Sequence, residues 1–432
     1  MKINTMNLKN FKSVDNTFLT LEGKSVIFFG VNGVGKTTIL TAVNILYSGF
    51  INTLLKNPGK NLGNLDILDI QSEQTCCTIE GEFMLEDPDA YYTLSRSISK
   101  LKQTPSQDQQ VFTTLCQEFY DRYLKPIDMF GHTTDHPMPI YVNYGVHRSA
   151  SHLSFHGGND IPPDDKRSIF ADSLNQTTDF SDLFHWFRNQ EDYENEQKVV
   201  QKNLAYVNPA LQAVRTAMTA MLDGVKNLRI QRKPLAMKID KEGISLSLQQ
   251  LSDGEICTLS LFGDLARRLS IANPNLANPL EGSGVVLIDE IELHMHPAWQ
   301  RKILKTLQKT FPNIQFLITT HSPQVLGEVD DHYLIYEINR SDGRTEYHEI
   351  PSLKGWDTNS ILDGYMHVSS VNAETKALIK NMYLAIEKQD YNLAEKYVKE
   401  LEALTDTVHE DAVKANILIR KGRRRIEKNN QT

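Results

Sequence analysis

The chain has 432 residues, of which 40% are hydrophobic and 23% are charged, a composition that is typical of a globular protein and excludes a wholly disordered chain. Its formal net charge of −8 argues against a protein that coats nucleic acid without help, because neutralising phosphates requires clustered Lys and Arg in excess. The four cysteines form no C-x-x-C pair, and the sequence shows neither a signal peptide nor an apolar run of membrane length, so we expect a cytoplasmic protein with reduced thiols and no membrane partner.

The N-terminal part of the chain reads as a series of strands with one early helix. Runs of alternating or continuous apolar residues predict strands at 3–11, 16–21, 25–30, 75–85, 91–98 and 139–146. The apolar segment 37–49 predicts a helix directly after the third strand, and the polar stretch 101–110 predicts a loop.

The C-terminal part alternates helices and strands. The predicted helices are 180–204, 209–224 and 297–311, and the predicted strands are 228–232, 235–240, 244–251, 284–290 and 314–322. The run at 284–290 is continuously apolar, as in parallel sheets that are buried on both faces. Short links join it through a helix to the next strand, which predicts a right-handed crossover and a doubly wound α/β fold. From residue 371 the chain reads as two or three amphipathic helices.

The stretch GVNGVGKTT, residues 30–38, stands between a predicted strand and a predicted helix, which is the context of a phosphate-binding loop. Its glycines allow the backbone to fold around phosphate oxygens. Lys36 would bridge the β- and γ-phosphates of a nucleotide, and the Thr37 hydroxyl would bind Mg²⁺. The predicted nucleotide-binding residues of this stretch are Gly30, Asn32, Gly33, Gly35, Lys36, Thr37 and Thr38.

Two adjacent acidic residues follow the apolar strand at 284–288. Asp289 can reach Mg²⁺ beside the phosphate loop, and Glu290 can accept a proton from an attacking water, which indicates hydrolysis rather than storage of a nucleotide. His321 ends the next strand, where an imidazole would hydrogen-bond the γ-phosphate and sense its loss. We therefore predict Glu290 and His321 as catalytic residues, and Thr37 and Asp289 as metal ligands.

A second anion-binding turn, Ser-Asp-Gly-Glu at 252–255, precedes an amphipathic helical run. Because the first loop already serves a nucleotide in the same subunit, the expected ligand of Ser252 and Gly254 is a γ-phosphate held by another copy. Asp253 and Glu255 add negative charge near that phosphate, so part of their role is expected to be structural or regulatory.

In this order, the segments GVNGVGKT, LSDGE, VVLIDE and TTHS resemble the ATP-binding-cassette (ABC) ATPase heads of the SMC, Rad50, RecF and OLD group, over residues 1–345. The resemblance implies an ABC head with a doubly wound sheet, an antiparallel β subdomain and a helical insertion at about 180–224. A helical interaction region would follow at 346–432, with two alternatives open: its apolar positions bind a partner, or they pack on the head or on another copy. The resemblance also implies that two heads enclose two ATP molecules with Mg²⁺, so that each phosphate loop faces the other head's signature turn.

The form LSDGE, in place of LSGGQ, and the following IELHMHP are similar to the PtuA family of ATPases in Septu and retron anti-phage systems. This resemblance implies a homodimer or larger homo-oligomer that senses or regulates a separate effector nuclease of the HNH type. Two alternatives stay open: a PARIS-like ATPase with a Toprim nuclease as its partner, and a RecF-like or Rad50-like repair ATPase that binds DNA directly. The segment after His321 lacks the spaced carboxylates of a Toprim domain, so no intrinsic nuclease is predicted.

Three further residues are candidates for contacts around the site. Arg148 is the candidate for an additional cation that contacts nucleotide or an interface. His294 and His296 have no third ligand nearby in the sequence, so a role in packing or at a dimer interface is expected rather than a metal pair.

Overall fold

A computed structural model of the chain describes residues 1–55, 64–85, 91–125, 136–146, 166–170, 172–174, 181–366, 372–405 and 409–429. The chain divides into two compact units, Met1–Gly355 and Trp356–Thr432. Arg148 and the predicted turn at 86–90 lie outside the described residues.

The first unit carries the strands and the first eight helices that the structure describes. Its strands are β1 (Lys2–Phe11), β2 (Val14–Thr20), β3 (Ser25–Phe29), β4 (Cys76–Met84), β5 (Tyr91–Ser99), β6 (Ser106–Gln107), β7 (Ile140–Tyr144), β8 (Val225–Arg232), β9 (Leu235–Lys241), β10 (Ile244–Ser247), β11 (Gly284–Ile288), β12 (Ile314–Thr320), β13 (Tyr333–Ser341) and β14 (Arg344–Ile350). Its helices are α1 (Lys36–Leu54), α2 (Gln109–Phe119), α3 (Ser181–Val200), α4 (Pro209–Thr219), α5 (Asp253–Ala272), α6 (Pro297–Gln300), α7 (Ile303–Thr310) and α8 (Pro323–Leu326).

The central sheet has the strand order β14-β13-β3-β12-β11-β7. All of its neighbouring pairs are parallel except β13 with β14. Strands β3, β11 and β12 are buried along their whole length, which is why their sequences are nearly continuous apolar runs. Because β12 lies between β3 and β11, the carboxyl ends of these three parallel strands meet at one edge of the sheet, where ligands bind in open α/β folds.

A second, antiparallel sheet with the order β2-β1-β4-β5-β6 is joined to the central sheet by a buried side chain. The amide of Gln315 on β12 accepts a hydrogen bond from the Ile3 N–H at 2.7 Å and donates one to the Ile3 carbonyl at 2.9 Å. Helix α1 packs against β4 and β5 of this sheet and against β12 of the central sheet. A third sheet, β10-β9-β8, contacts helices α3 and α4 and leads into α5.

The second unit is helical: α9 (Thr358–Gly364), α10 (Ala373–Glu387), α11 (Tyr391–Thr405) and α12 (Glu410–Asn429). Helices α10 to α12 share one apolar core, whose buried members include Met382, Ala394, Val398, Leu401, Ala412, Ala415 and Ile419. The small alanines let the three helices approach one another closely. Among the described residues, no helix of either unit combines the length and apolar character that crossing a membrane requires.

The predicted fold class is confirmed: the chain is α/β, with a parallel sheet, an antiparallel β subdomain and a helical C-terminal region. Some elements differ from the prediction. The helix predicted at 297–311 is two helices, because the Lys302 N–H bonds to the Trp299 carbonyl three residues back instead of four. The predicted loop at 101–110 contains β6 and the start of α2, which Asp108 caps through a bond from the Val111 N–H.

The division between head and tail that was predicted after residue 345 stays a prediction. Strand β14 crosses that position, and the first compact unit continues to Gly355.

Candidate nucleotide-binding site

The glycines of the loop between β3 and α1 are required for two different reasons. At Gly30, a Cβ atom would lie 2.4 Å from the carbonyl oxygen of Ile338, so no side chain fits there. Gly33 and Gly35 have φ angles of 83° and 107°, which residues with a Cβ rarely adopt. At Gly33 nothing lies within 4 Å of the Cβ position, so its backbone conformation, and not space, selects glycine.

Lys36 begins α1 with its side chain folded over the loop. Its Nζ donates to the carbonyl oxygens of Gly30 at 3.0 Å and Val31 at 3.1 Å. Burial lowers the pKa of Lys36, whereas the charges of Glu290, Glu292 and Asp289 raise it. The Lys36 ammonium therefore lies among loop carbonyl oxygens and faces carboxylates. The phosphate oxygens of a bound nucleotide would replace those carbonyl oxygens as acceptors of its hydrogen bonds.

The two predicted metal ligands are in direct contact. The Thr37 hydroxyl donates to Oδ2 of Asp289 at 2.9 Å, and the other carboxylate oxygen of Asp289 accepts a short bond from the Thr319 hydroxyl. A hydroxyl and a carboxylate are oxygen ligands of the kind that Mg²⁺ prefers, and this ion usually takes its other ligands from phosphates and water. The residues present thus fit Mg²⁺ with a nucleotide.

Glu290 stands next to Asp289 in a special backbone conformation. Its φ angle is 48°, in the left-handed region, and its N–H donates to the Thr319 hydroxyl oxygen at 2.8 Å. Thr319 therefore holds both acidic residues, one through its donor and the other through its acceptor. Thr319 is not recognisable from the sequence, because nothing in its local sequence indicates that a threonine at the end of a strand binds residues of the neighbouring strand.

His321 is bound to a buried carboxylate that the sequence analysis also missed. Oε1 of Glu292 accepts from the His321 backbone N–H at 2.6 Å and lies 2.9 Å from Nδ1 of its ring, while Oε2 accepts from Thr320 at 2.7 Å. The hydrogen bond that Glu292 accepts from the ring raises the pKa of His321. Burial raises the pKa of Glu292, but the hydrogen bonds from His321 and Thr320 outweigh this and leave it below its ordinary value.

The Ser252 turn is closed on itself. Ser252 is the N-cap of α5, and both its N–H and its hydroxyl donate to Oε2 of Glu255, at 3.0 and 2.9 Å. Lys241 of β9 forms a short ion pair with the same carboxylate. Burial raises the pKa of Glu255, yet the bonds from Lys241 and Ser252 together lower it. Glu255 thus caps the helix, which is the structural role that the sequence analysis expected for part of the acidic charge.

Gly254 connects this turn with the acidic loop after β11. A Cβ atom at Gly254 would lie 2.2 Å from the carbonyl oxygen of His294, so the two backbones are in direct contact. Among the described residues, no hydrogen bond joins Ser252 to the loop at 30–38. The structure therefore brings Lys36, Thr37 and Asp289 together, whereas the signature turn does not complete their site within the same chain.

Thr345 of β14 supports the phosphate loop from outside the motif. Its hydroxyl donates to the Val34 carbonyl at 3.0 Å and lies 2.7 Å from the Ser13 hydroxyl, and its N–H donates to the Ser13 carbonyl at 3.0 Å. The same hydroxyl would be 3.3 Å from a Cβ atom at Gly35. No sequence signal identifies Thr345, since it lies more than three hundred residues after the loop that it contacts.

Replacing Thr345 by Val is expected to weaken ATP binding about fivefold, because one buried hydrogen bond to the loop is worth about 1 kcal/mol. Isothermal titration with a non-hydrolysable ATP analogue measures the change. The matched control is Thr219→Val, which removes a comparable hydroxyl-to-carbonyl bond, at 2.9 Å, within α4. Equal affinities of Thr345→Val and the unaltered chain would show that Thr345 does not shape the loop.

Two family profiles match the chain. The profile described as "AAA domain, putative AbiEii toxin, Type IV TA system" matches residues 93–327, which is more than half of the chain, and the profile "AAA ATPase domain" matches residues 1–137. Among solved structures, the chain is similar to an SMC head domain from Thermotoga maritima, with 14% identity and a TM-score of 0.45, over 81% of this chain and 100% of that chain.

Three curated relatives are named as probable ATPases of retrons or as a Septu protein. The chain is 50% identical over 144 residues to the retron Ec83 probable ATPase of Escherichia coli, a match that covers 32% of this chain and 27% of that protein. It is 27% identical to the retron Vc95 probable ATPase of Vibrio cholerae serotype O1 biovar El Tor, over 76% of this chain and 72% of that protein. It is 22% identical to the Septu protein PtuA of Bacillus thuringiensis, over 80% of this chain and 78% of that protein. With these matches, the chain belongs to the AAA-domain family, carries the AAA ATPase profile over residues 1–137 and resembles PtuA.

Proposed function

We propose that this chain hydrolyses ATP and that two copies close around ATP to do so. The observation that carries the proposal is the contact of Thr37 with Asp289 beside Lys36, at the edge of the sheet where Glu290 also lies. Lys36 and the loop N–H groups would hold the phosphates, and Thr37 and Asp289 would hold Mg²⁺. The ion would supply charge stabilisation for the departing phosphate. Glu290 would take the proton of the attacking water.

The second copy enters the proposal through the Ser252 turn. The N-terminus of the 20-residue helix α5 is suited to an anion, and Ser252 and Gly254 lie at that terminus. Because their hydrogen bonds do not reach the chain's own phosphate loop, we propose that they bind the γ-phosphate of ATP held by a second copy. A homodimer, or a larger homo-oligomer built from it, then has two complete sites.

The open or closed state of the pair would control a separate effector nuclease in anti-phage defence. This part of the proposal is supported by the similarity to retron ATPases and to Septu PtuA. We propose an effector of the HNH type and no nuclease activity in this chain itself. A Toprim nuclease as the partner would instead indicate the PARIS-like alternative. Salt-sensitive DNA binding by the chain alone would indicate the repair ATPase.

The test is co-expression of this chain with the products of its neighbouring genes, followed by native mass measurement with and without ATP. The proposal expects a complex with a nuclease and a change in its stoichiometry when ATP is added. A chain that purifies alone, dimerises with ATP and retains DNA would place it with the repair ATPases instead. Cleavage of DNA by the purified chain with Mg²⁺ would refute the absence of an intrinsic nuclease.

We propose the helical C-terminal region as the surface that binds the effector. Its helix α12 exposes three apolar side chains, Val413, Ile417 and Leu418, at 44%, 49% and 43% of their surface. Exposed apolar groups next to one another are typical of interaction sites. Replacing Ile417 by Asp is expected to abolish co-purification of the effector without changing ATP hydrolysis.

The matched control is Asn416→Asp, which adds the same charge to a neighbouring side chain that is already polar. Co-purification with Ile417→Asp at the level of this control would exclude α12 as the binding surface.

A further inference from the structure

Glu292 lies beside the proposed catalytic residues but belongs to neither the phosphate loop nor the pair of acids at 289 and 290. Its carboxylate is buried, with 5% of the side chain exposed, whereas 42% of the His321 side chain is exposed. A buried carboxylate is costly unless its oxygens are hydrogen-bonded. Here both oxygens are used, since Oε1 faces the N–H and the ring of His321, and Oε2 accepts from Thr320. The bonds thus connect the loop after β11 to the end of β12 at the position of His321.

We propose that Glu292 is a positioning residue for ATP hydrolysis: it fixes the ring of His321 through Nδ1, so that Nε2 is the nitrogen left to bind the γ-phosphate of ATP. The inference rests on the hydrolysis proposed above and adds to it the residue that sets the orientation and the protonation of His321. Glu292 acts through His321 and touches no substrate atom in this scheme.

The bond to Glu292 determines which ring nitrogen of His321 carries a proton. A carboxylate only accepts hydrogen bonds, so Nδ1 must carry the proton in the bond to Glu292. A neutral ring then has no proton on Nε2, and only the charged ring can donate from Nε2 to a phosphate oxygen. Glu292 therefore favours the charged ring, which is the form that can donate at both nitrogens.

The charged groups that face His321 act in both directions. Glu292 raises its pKa most, burial lowers it, Glu290 raises it, and Lys36 lowers it. Because the net effect is a raised pKa of His321, its ion pair with Glu292 is complete below the ordinary His pKa and is lost as the pH rises through the raised pKa. Hydrolysis is therefore expected to fall on the alkaline side as His321 loses its charge.

The variant Glu292→Gln tests the proposal, because Gln has the same shape and can still accept from Nδ1 but carries no charge. We expect kcat to fall about tenfold, with the affinity for ATP nearly unchanged, and the alkaline limb of the kcat profile to move to lower pH by about one unit. Titration of the His321 ring by NMR, assigned by comparison with His321→Ala, should show the same direction without relying on turnover. The variant Glu292→Asp keeps the charge and should restore part of the shift.

A double-substitution cycle separates this inference from the proposed function. In the background of His321→Ala, the change Glu292→Gln should have no further effect on kcat. The control Thr306→Val removes a hydroxyl-to-carbonyl bond of α7, away from Glu292 and His321, so it should leave the alkaline limb of the kcat profile unchanged. The positioning role would be overturned if Glu292→Gln left the alkaline limb of the kcat profile and the pKa of the His321 ring unchanged. Additive losses of kcat in the cycle would also overturn it. A full rate in His321→Ala would instead contradict the proposed role of His321 in hydrolysis.

Discussion

Replacing Glu290 by Gln is expected to leave ATP bound and to slow its hydrolysis about 10²-fold or more, because a general base contributes on this scale and an amide cannot take the proton of water. The substitution keeps the shape of the side chain. It also leaves intact the backbone bond from the residue 290 N–H to Thr319, which holds the turn at φ 48°. Single-turnover measurement of phosphate release, beside equilibrium binding of ATP, separates the loss of rate from any loss of affinity.

The control for this prediction is Glu328→Gln, an exposed glutamate outside the loops that form the site. It should hydrolyse ATP at the rate of the unaltered chain. If Glu290→Gln also turned over at that rate, Glu290 would not be the base, and the base would have to be sought elsewhere around Lys36.

Replacing Gly254 by Ala is expected to abolish the ATP-dependent dimer while leaving ATP binding by the single chain in place. The new Cβ atom would lie 2.2 Å from the His294 carbonyl oxygen, which is backbone and cannot rotate away. The Ser252 turn or the loop after β11 must then shift, and displacements of about 1 Å in a catalytic arrangement cost about 10²-fold in rate. Sedimentation velocity with ATP, on a chain that also carries Glu290→Gln to prevent hydrolysis, measures the dimer. Phosphate release by Gly254→Ala alone measures the rate.

The matched control for Gly254→Ala is Asp253→Ala, a change at the exposed neighbouring position of the same turn. It removes a charge and introduces no contact with His294, so a dimer with ATP is expected. Dimers of equal stability in Gly254→Ala and Asp253→Ala would show that the contact between the turn and the loop after β11 is not needed for closure.

The sequence predicted those parts of the site whose residues are neighbours in the chain. The loop at 30–38 and the acids at 289 and 290 are local patterns with a known chemical meaning, and the apolar runs that flank them predicted the buried parallel strands β3 and β11. The adjacency of the strands that end in Asp289 and His321 also follows from the short crossover between them, and the pairing of β11 with β12 confirms it.

The residues that the sequence did not predict are those that act across the fold. Thr319 holds the two acids that follow the neighbouring strand β11, Thr345 holds a loop more than three hundred residues away, and Glu292 holds His321. Each is a common residue type with no periodicity or motif of its own, so its role arises only when the parallel strands bring it to its partner. The close approach of Gly30 to the Ile338 carbonyl is of the same kind, because it depends on the pairing of β13 with β3.

The role of Glu255 in the Ser252 turn depends on contacts that the sequence shows only in part. In the sequence, Glu255 adds negative charge at a proposed phosphate site. In the structure its carboxylate caps its own helix through Ser252 and pairs with Lys241 of β9, so its negative charge is compensated within the same chain. Capping boxes are recognisable from Ser and Glu three residues apart, whereas the partner on β9 is set by the folding of the third sheet.

The central claim is that the signature turn of one copy completes the phosphate loop of another, and mixing two inactive variants tests it most directly. Lys36→Ala damages the phosphate loop and leaves the Ser252 turn intact, whereas Ser252→Glu places a negative charge in the turn, where Ser252 bonds to Glu255, and leaves the phosphate loop and the loop after β11 intact. A mixed pair would contain one site built from the two undamaged halves. We expect each variant alone to be inactive and the mixture to hydrolyse ATP. A mixture no more active than either variant alone would contradict the account.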